Sequence, residues 1–301
     1  MSLFAALLRT GYRICGAKKS FRLPEDELEK RITKMNRSRG VFHPTDHKAF
    51  YEEKTILGHS CLIIRRGRTP SERAILYFYG GGMVLGPDRG DLPVARKLCL
   101  ESGCDVWFPF YPLCLEHSVY DTYEMAFACY RKMIGIYGCG NVSTCGFSSG
   151  GALALGIATH NNALGRPLPQ PRHIVAVSPG EVPWNEAEQA RMRSLNAQDV
   201  AIDCAFMLTV EKFMRHGRDD LPPYMLAGSR GDLSGVGDIM FVYSSDEVLY
   251  GALPDFETCC KRSGVPYTVL TRPKMVHCYC MLPVFREARE DFARIVAYIG
   301  E

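Results

Sequence analysis

Gly146-Phe147-Ser148-Ser149-Gly150 lies between the run Asn141 to Cys145, with its β-branched Val142 and Thr144, and the small-residue stretch Gly151-Ala152-Leu153-Ala154-Leu155-Gly156. That order predicts a strand, a sharp turn and a helix, with Ser148 at the apex. A serine hydroxyl is a weak nucleophile, so it must be lifted clear of the backbone within reach of a base; glycines on either side permit the tight turn that does this. The pattern alone would arise by chance in roughly one chain in ten of this length, so what accompanies it decides the reading.

Upstream, Ala74-Ile75-Leu76-Tyr77-Phe78 reads as a buried strand running into Tyr79-Gly80-Gly81-Gly82-Met83. Glycines after a strand can leave backbone N–H groups unpartnered. In an acyl-transfer enzyme the N–H groups of Gly81, Gly82 and Ser149 would hold the oxyanion of a tetrahedral intermediate. Taken by itself, the same stretch is also what an ordinary strand-exit loop looks like.

A base and an orienting acid should follow in the order Ser, Asp/Glu, His, each after a strand. Ile239-Met240-Phe241-Val242-Tyr243 is an apolar strand ending at Ser244-Ser245-Asp246-Glu247, and Tyr267-Thr268-Val269-Leu270 leads through Arg272 and Pro273 to His277. Of the 8 histidines, His277 alone follows a late strand. Asp246 is the expected acid: Asp238 precedes its strand, and Glu247 projects in the next side-chain direction. The expected catalytic set is therefore Ser148, Asp246 and His277.

With these residues in view, the chain resembles an α/β-hydrolase of the hormone-sensitive-lipase-like esterase family, the acetyl-esterase type. Tyr79-Gly80-Gly81-Gly82 resembles that family's His-Gly-Gly-Gly loop, and Gly146-Phe147-Ser148-Ser149-Gly150-Gly151 its Gly-Asp-Ser-Ala-Gly-Gly elbow. Phe110-Tyr111-Pro112-Leu113-Cys114-Leu115-Glu116-His117 is similar to its Tyr-Arg-Leu-Ala-Pro-Glu-His segment. Ser244 to Leu249 and Met275-Val276-His277 resemble the acid and histidine loops. The matches run in order from about Leu76 to the end. Two departures, Tyr79 for the loop histidine and Phe147 for the aspartate before the nucleophile, are expected to bear on the pocket more than on the chemistry.

The resemblance implies an α/β fold: a mostly parallel twisted sheet of about eight strands, helices on both faces, and a helical cap. Strands are expected at 54–66, 74–78, 106–110 and 173–178, the first two as a hairpin-like pair, and a long helix at 118–137. Between Trp184 and about Ser234 the strand pattern gives way to helical segments, among them Ala201 to Arg215 with Phe206, Met207, Val210, Phe213 and Met214. Residues 185–234 are read as a cap insertion, joined by N-terminal helices at 1–45, over a catalytic domain at 46–184 and 235–301.

At 301 residues and 47% hydrophobic, the chain can bury a large core as one domain with insertions. A net charge of +3 with dispersed basic residues argues against a nucleic-acid partner. The 13 cysteines are odd in number and irregularly spaced, which does not describe a disulfide framework. Cys259-Cys260 and Cys278-x-Cys280 lack paired zinc-ligand spacing, so no metal and no cofactor is expected; Cys278 and Cys280 flank the expected base, where oxidation would impair it. Leu3, Phe4, Leu7, Leu8 and Tyr12 fall on one helical face, expected to pack on the protein, with peripheral membrane contact as the lesser alternative. The opening apolar run is too short for a signal segment, so residence in the cytoplasm is the expectation.

The reading is a serine carboxylesterase acting on acetyl to butyryl esters, with the bulk of Tyr79 and Phe147 helping to shorten the acyl slot. The partners expected are a small-molecule ester, no stably inserted membrane and, as an open case, a second copy of the chain. The alternatives are amide or formamide hydrolysis on the same site, a ligand-binding member of the fold without activity, and a peripheral membrane lipase.

Overall fold

A computed structural model describes residues 2–301. Eight strands form one sheet in the order β1-β2-β4-β3-β5-β6-β7-β8: β1 Phe50–Ile56, β2 His59–Arg65, β3 Ala74–Phe78, β4 Asp105–Pro109, β5 Val142–Phe147, β6 His173–Val177, β7 Asp238–Ser244 and β8 Tyr267–Arg272. The β1–β2 and β2–β4 pairings are antiparallel, and the rest are parallel. The segment expected as one strand at 54–66 is thus a hairpin broken at Leu57-Gly58, where Gly58 takes φ 81°. β3 pairs in parallel with β4 and β5 instead of closing a hairpin, because it enters the middle of the sheet.

β3, β4 and β5 are buried along their whole length. This suits central parallel strands covered on both faces by crossover helices, and explains the unbroken apolar run of β3. The helices are α1 Leu3–Cys15, α2 Glu25–Asn36, α3 Asp91–Ser102, α4 Val119–Tyr137, α5 Ser149–Ala163, α6 Glu186–Leu195, α7 Cys204–Arg215, α8 Leu253–Ser263 and α9 Arg286–Gly300. α3 packs against α9, and α4 against α5. No helix among the described residues is long and apolar enough to cross a membrane. All thirteen cysteines are free.

The N-terminal segment and the 185–234 block are tied together. The Phe21 and Phe206 rings meet edge to face at 4.7 Å. Arg9 donates to the Gln198 carbonyl at 3.1 Å, and Arg22 pairs with Asp203. Both blocks reach the carboxyl edge of the parallel strands, the side where open α/β sheets bind ligands.

Candidate active site

Ser148 is the single residue between β5 and α5, and it takes φ 56° and ψ −126°, a strained conformation for a side chain with a Cβ. The strain is held by hydrogen bonds: the Ser148 N–H donates to the Val177 carbonyl at 2.8 Å, and its own carbonyl accepts from Gly151 at 2.8 Å. The glycines around it are there for close approach. A Cβ on Gly146 would collide with the carbonyl of Gly150, and one on Gly150 with the carbonyl of Phe78, so the helix can sit this close to the sheet only with hydrogen at both positions.

The Gly80 to Gly82 loop leaves β3 beside this turn. The Ser149 hydroxyl oxygen accepts from the Met83 N–H at 3.1 Å, which fixes the loop against the start of α5. Among the described residues no protein acceptor takes the N–H of Gly81, Gly82 or Ser149. Gly81 and Gly82 line a cavity together with Ser148.

His277 follows β8, and its side chain is 11% exposed. Its Nδ1 lies 2.6 Å from Oε2 of Glu247. The expectation that Asp246 would take this place is overturned. Asp246 points away, 3.3 Å from the Arg9 guanidinium, and accepts from the Lys274 N–H at 3.0 Å. The cause is a turn at the end of β7: Oε1 of Glu247 accepts from the Ser244 N–H at 2.8 Å, folding the Glu247 side chain back over the strand end toward His277. Oε1 also accepts from the Ser178 hydroxyl at 2.8 Å. Ser178, just past β6, is a contributor that the sequence reading missed; only its place after a strand marked it.

Glu247 is buried, and burial raises its pKa, opposed by the hydrogen bond and charge of His277. Burial likewise disfavours the His277 cation, but the Cys278 thiol and the Glu247 carboxylate outweigh it and hold the imidazole well above its ordinary pKa. Nε2 of His277 lies 3.4 Å from Cys278 Sγ. Ser148 and His277 line one cavity, and no hydrogen bond joins them among the described residues.

Two cavities meet at Ser148. One, of about 40 Å³, is walled by Phe206, Met207, Val210 and Met214 of α7 with Tyr123 and Leu226. The other, of about 290 Å³, contains His277 and Cys278 with Tyr12, Arg39, Asp88 and Asp91. Of the expected α7 side chains, Phe206, Met207, Val210 and Met214 line the narrow cavity and Phe213 does not. Tyr79 and Phe147 do not. Tyr79 is 1% exposed and stacks on Tyr111 at 4.2 Å, while Phe147 is 1% exposed and packs toward Tyr77 at 5.8 Å. Their bulk goes into the core, because both lie at strand ends where the inward direction faces the sheet's neighbours and not the serine.

This geometry coincides with sequence kinship. Residues 75–281 match the alpha/beta hydrolase fold family. The chain belongs to that family. An acetyl-hydrolase of Streptomyces hygroscopicus is 27% identical over 238 residues, covering 77% of each chain. Among solved structures, an esterase of the bacterial hormone-sensitive lipase family superposes with a TM-score of 0.81 at 21% identity, covering 100% of this chain and 98% of that one. The esterase EstE5, soaked by p-nitrophenyl butyrate, gives 0.81 at 20% identity with coverage of 100% and 98%. The shared fold is that of the expected α/β-hydrolase, with a mostly parallel sheet.

Proposed function

We propose that this protein is a serine carboxylesterase for short-chain acyl esters, with Ser148 as nucleophile, His277 as base and Glu247 as the acid that orients it. In this reading His277 takes the Ser148 proton on Nε2 as the hydroxyl attacks the ester carbonyl. Glu247 fixes the Nδ1–H tautomer and stabilises the imidazolium. The Gly81, Gly82 and Ser149 N–H groups hold the oxyanion. His277 then gives its proton to the leaving alcohol, and water, activated by the same imidazole, releases the acid from Ser148. The serine–imidazole hydrogen bond forms as substrate enters, as is common in empty sites.

The leaving alcohol must lie on the imidazole's side, so the wide cavity holds the alcohol and the narrow one the acyl chain. Residues 1–45 and 185–234 act as the cap over a catalytic unit at 46–184 and 235–301. The observation that carries the reading is the strained Ser148 elbow beside unpartnered loop N–H groups, in one cavity with a carboxylate-paired histidine. The experiment is covalent labelling with an organophosphonate alongside turnover of p-nitrophenyl acetate. Label is expected on Ser148, and Ser148→Ala should lose label and about 10⁴-fold or more in kcat. Label on Ser149, or turnover that survives Ser148→Ala, would overturn it.

A further inference from the structure

The helix α1 does not pack as its periodicity suggested. Leu8 and Tyr12 face the protein, but Leu3 is 78%, Leu7 61% and Ile14 80% exposed. At 3.6 residues per turn these three fall within about 40° of one another, a single apolar stripe along the outside of the helix. Beside it Phe4, itself half exposed, stacks on Phe285 at 5.7 Å, in the segment that also holds the exposed Leu282 and Val284.

The segment that carries this stripe is basic. Residues 2–24 hold Arg9, Arg13, Lys18, Lys19 and Arg22 and no aspartate or glutamate. Arg13, Lys18, Lys19 and Arg22 line a cavity of about 250 Å³ at the end of α1. The carboxylates near it are committed. Asp203 pairs with Arg22 and lies 3.9 Å from Lys18, and Asp199 accepts from the Ala201, Ile202 and Val248 N–H groups. Beyond the stripe, Arg286 is held by Glu290 at 2.8 Å, and Glu287 is buried. Arg13 and Lys19 remain exposed with no ion pair among the described residues. Tyr12 lines both this basic cavity and the wide cavity at Ser148, and Leu282 stands at the wall of the latter.

We infer that α1 and the basic cavity at its end form a docking surface for an anionic phospholipid membrane. The helix lies in the interface with Leu3, Leu7 and Ile14 in the acyl boundary, and the cavity receives a phosphate-bearing headgroup. Lipid suits the face better than a second copy of the chain, because Arg13 and Lys19 stand near the stripe with no acid paired to them among the described residues, and a two-fold contact would bring those cations together. The inference stands whether or not Ser148 acts on esters.

The test is flotation of the full chain with vesicles of phosphatidylcholine alone and of phosphatidylcholine with phosphatidylglycerol, at low and high salt. The wild type should float with the anionic vesicles and be released by salt. The triple variant Leu3→Glu/Leu7→Glu/Ile14→Glu should lose about tenfold or more in bound fraction, and so should Arg13→Glu/Lys19→Glu, with melting temperature and turnover of a soluble ester unchanged. Leu164→Glu, an exposed leucine at the far end of α5, is the control that should still float. A wild type that stays behind at low salt overturns the inference, as does a triple variant that floats like the wild type. A dimer that the triple variant splits, without flotation, makes the face a contact between copies. Inorganic phosphate that binds without any flotation reduces the cavity to a small-anion site.

Discussion

The two cavities that share Ser148 differ in size, lining and freedom. The narrow one is closed by rigid packing: Phe206 presses on Gly82 so tightly that a Cβ there would overlap the ring, and Met207, Val210 and Met214 complete an apolar wall. At about 40 Å³ it has room for a few carbon atoms. The wide one, about 290 Å³, carries His277, Asp88, Asp91 and Arg39, whereas the narrow one has a single carboxyl in its lining, Glu181, which accepts from the Ser229 N–H and hydroxyl. One serine therefore stands between a small, largely apolar space and a larger, charged one, and in the proposed reading the first selects by volume and the second by charge. Volume is a strict filter when a group is too large and a weak one when it is too small, because an added methylene that fits is worth only about 1–3 kcal/mol.

Assigning alcohol to the wide side depends on His277 working from that side, and the largest effect breaks or secures this point. Glu247→Gln should cut kcat about 10³- to 10⁴-fold for every ester tested, whatever its acyl chain or alcohol, since the imidazole loses its oriented tautomer and its counter-charge. Asp246→Asn should change kcat less than about threefold, because it weakens only the ion pair with Arg9, which is not part of the Glu247–His277 contact. Steady-state kinetics on the two variants checks this. A collapse in Asp246→Asn with Glu247→Gln near wild type would return the acid to Asp246 and reopen which side holds the leaving group.

That pair of neighbours also shows where sequence stops being legible. The elbow, the glycine loop and the histidine loop could be read because each depends on local backbone chemistry: a serine between glycines at a strand end, N–H groups after β3, a histidine after β8. The choice between Asp246 and Glu247 depends on which of two adjacent carboxylates folds back, and the Ser244 N–H, reached by the longer glutamate, decides it. Tyr79 and Phe147 were legible as bulky but not in direction, since facing the serine or the core is set by strand neighbours such as Tyr111 and Tyr77. Periodicity in α1 likewise showed one apolar face without showing what the face meets.

The next effect sharpens the narrow side. With p-nitrophenyl esters of graded length, kcat/KM should peak between acetyl and butyryl and fall about 100-fold beyond hexanoyl, as chains outgrow the space under α7. Met207→Ala, which removes bulk from the wall without touching the serine or the imidazole, should move the optimum toward hexanoyl and leave acetyl turnover within about threefold. An optimum at decanoyl or longer in the wild type would mean that the α7 wall yields, and volume would cease to distinguish the two sides.

The smallest effect concerns charge on the wide side. Asp91 is 4% exposed, and its Oδ2 accepts from the Asp88 N–H at 2.8 Å. Burial, with the Asp88 charge adding to it, raises its pKa to about 7. Below that pH the carboxyl is neutral; above it the cavity gains a negative charge. The preference for an acetyl ester of a quaternary amino alcohol over its neutral carbon isostere should therefore rise as pH goes from about 6 to 8, by about threefold to fivefold, which is the worth of roughly 1 kcal/mol of attraction in a partly wet site. Taking the ratio of the two kcat/KM values removes the titration of His277, which serves both esters alike. The Arg39 and Asp88 pair, 3.8 Å apart, is present throughout and drops out in the same way. Asp91→Asn should make the ratio independent of pH while leaving the acyl-chain profile as it was. A wild-type ratio that stays flat, or a rise that survives in Asp91→Asn, would show that the wide cavity does not read the charge of the alcohol through this carboxyl.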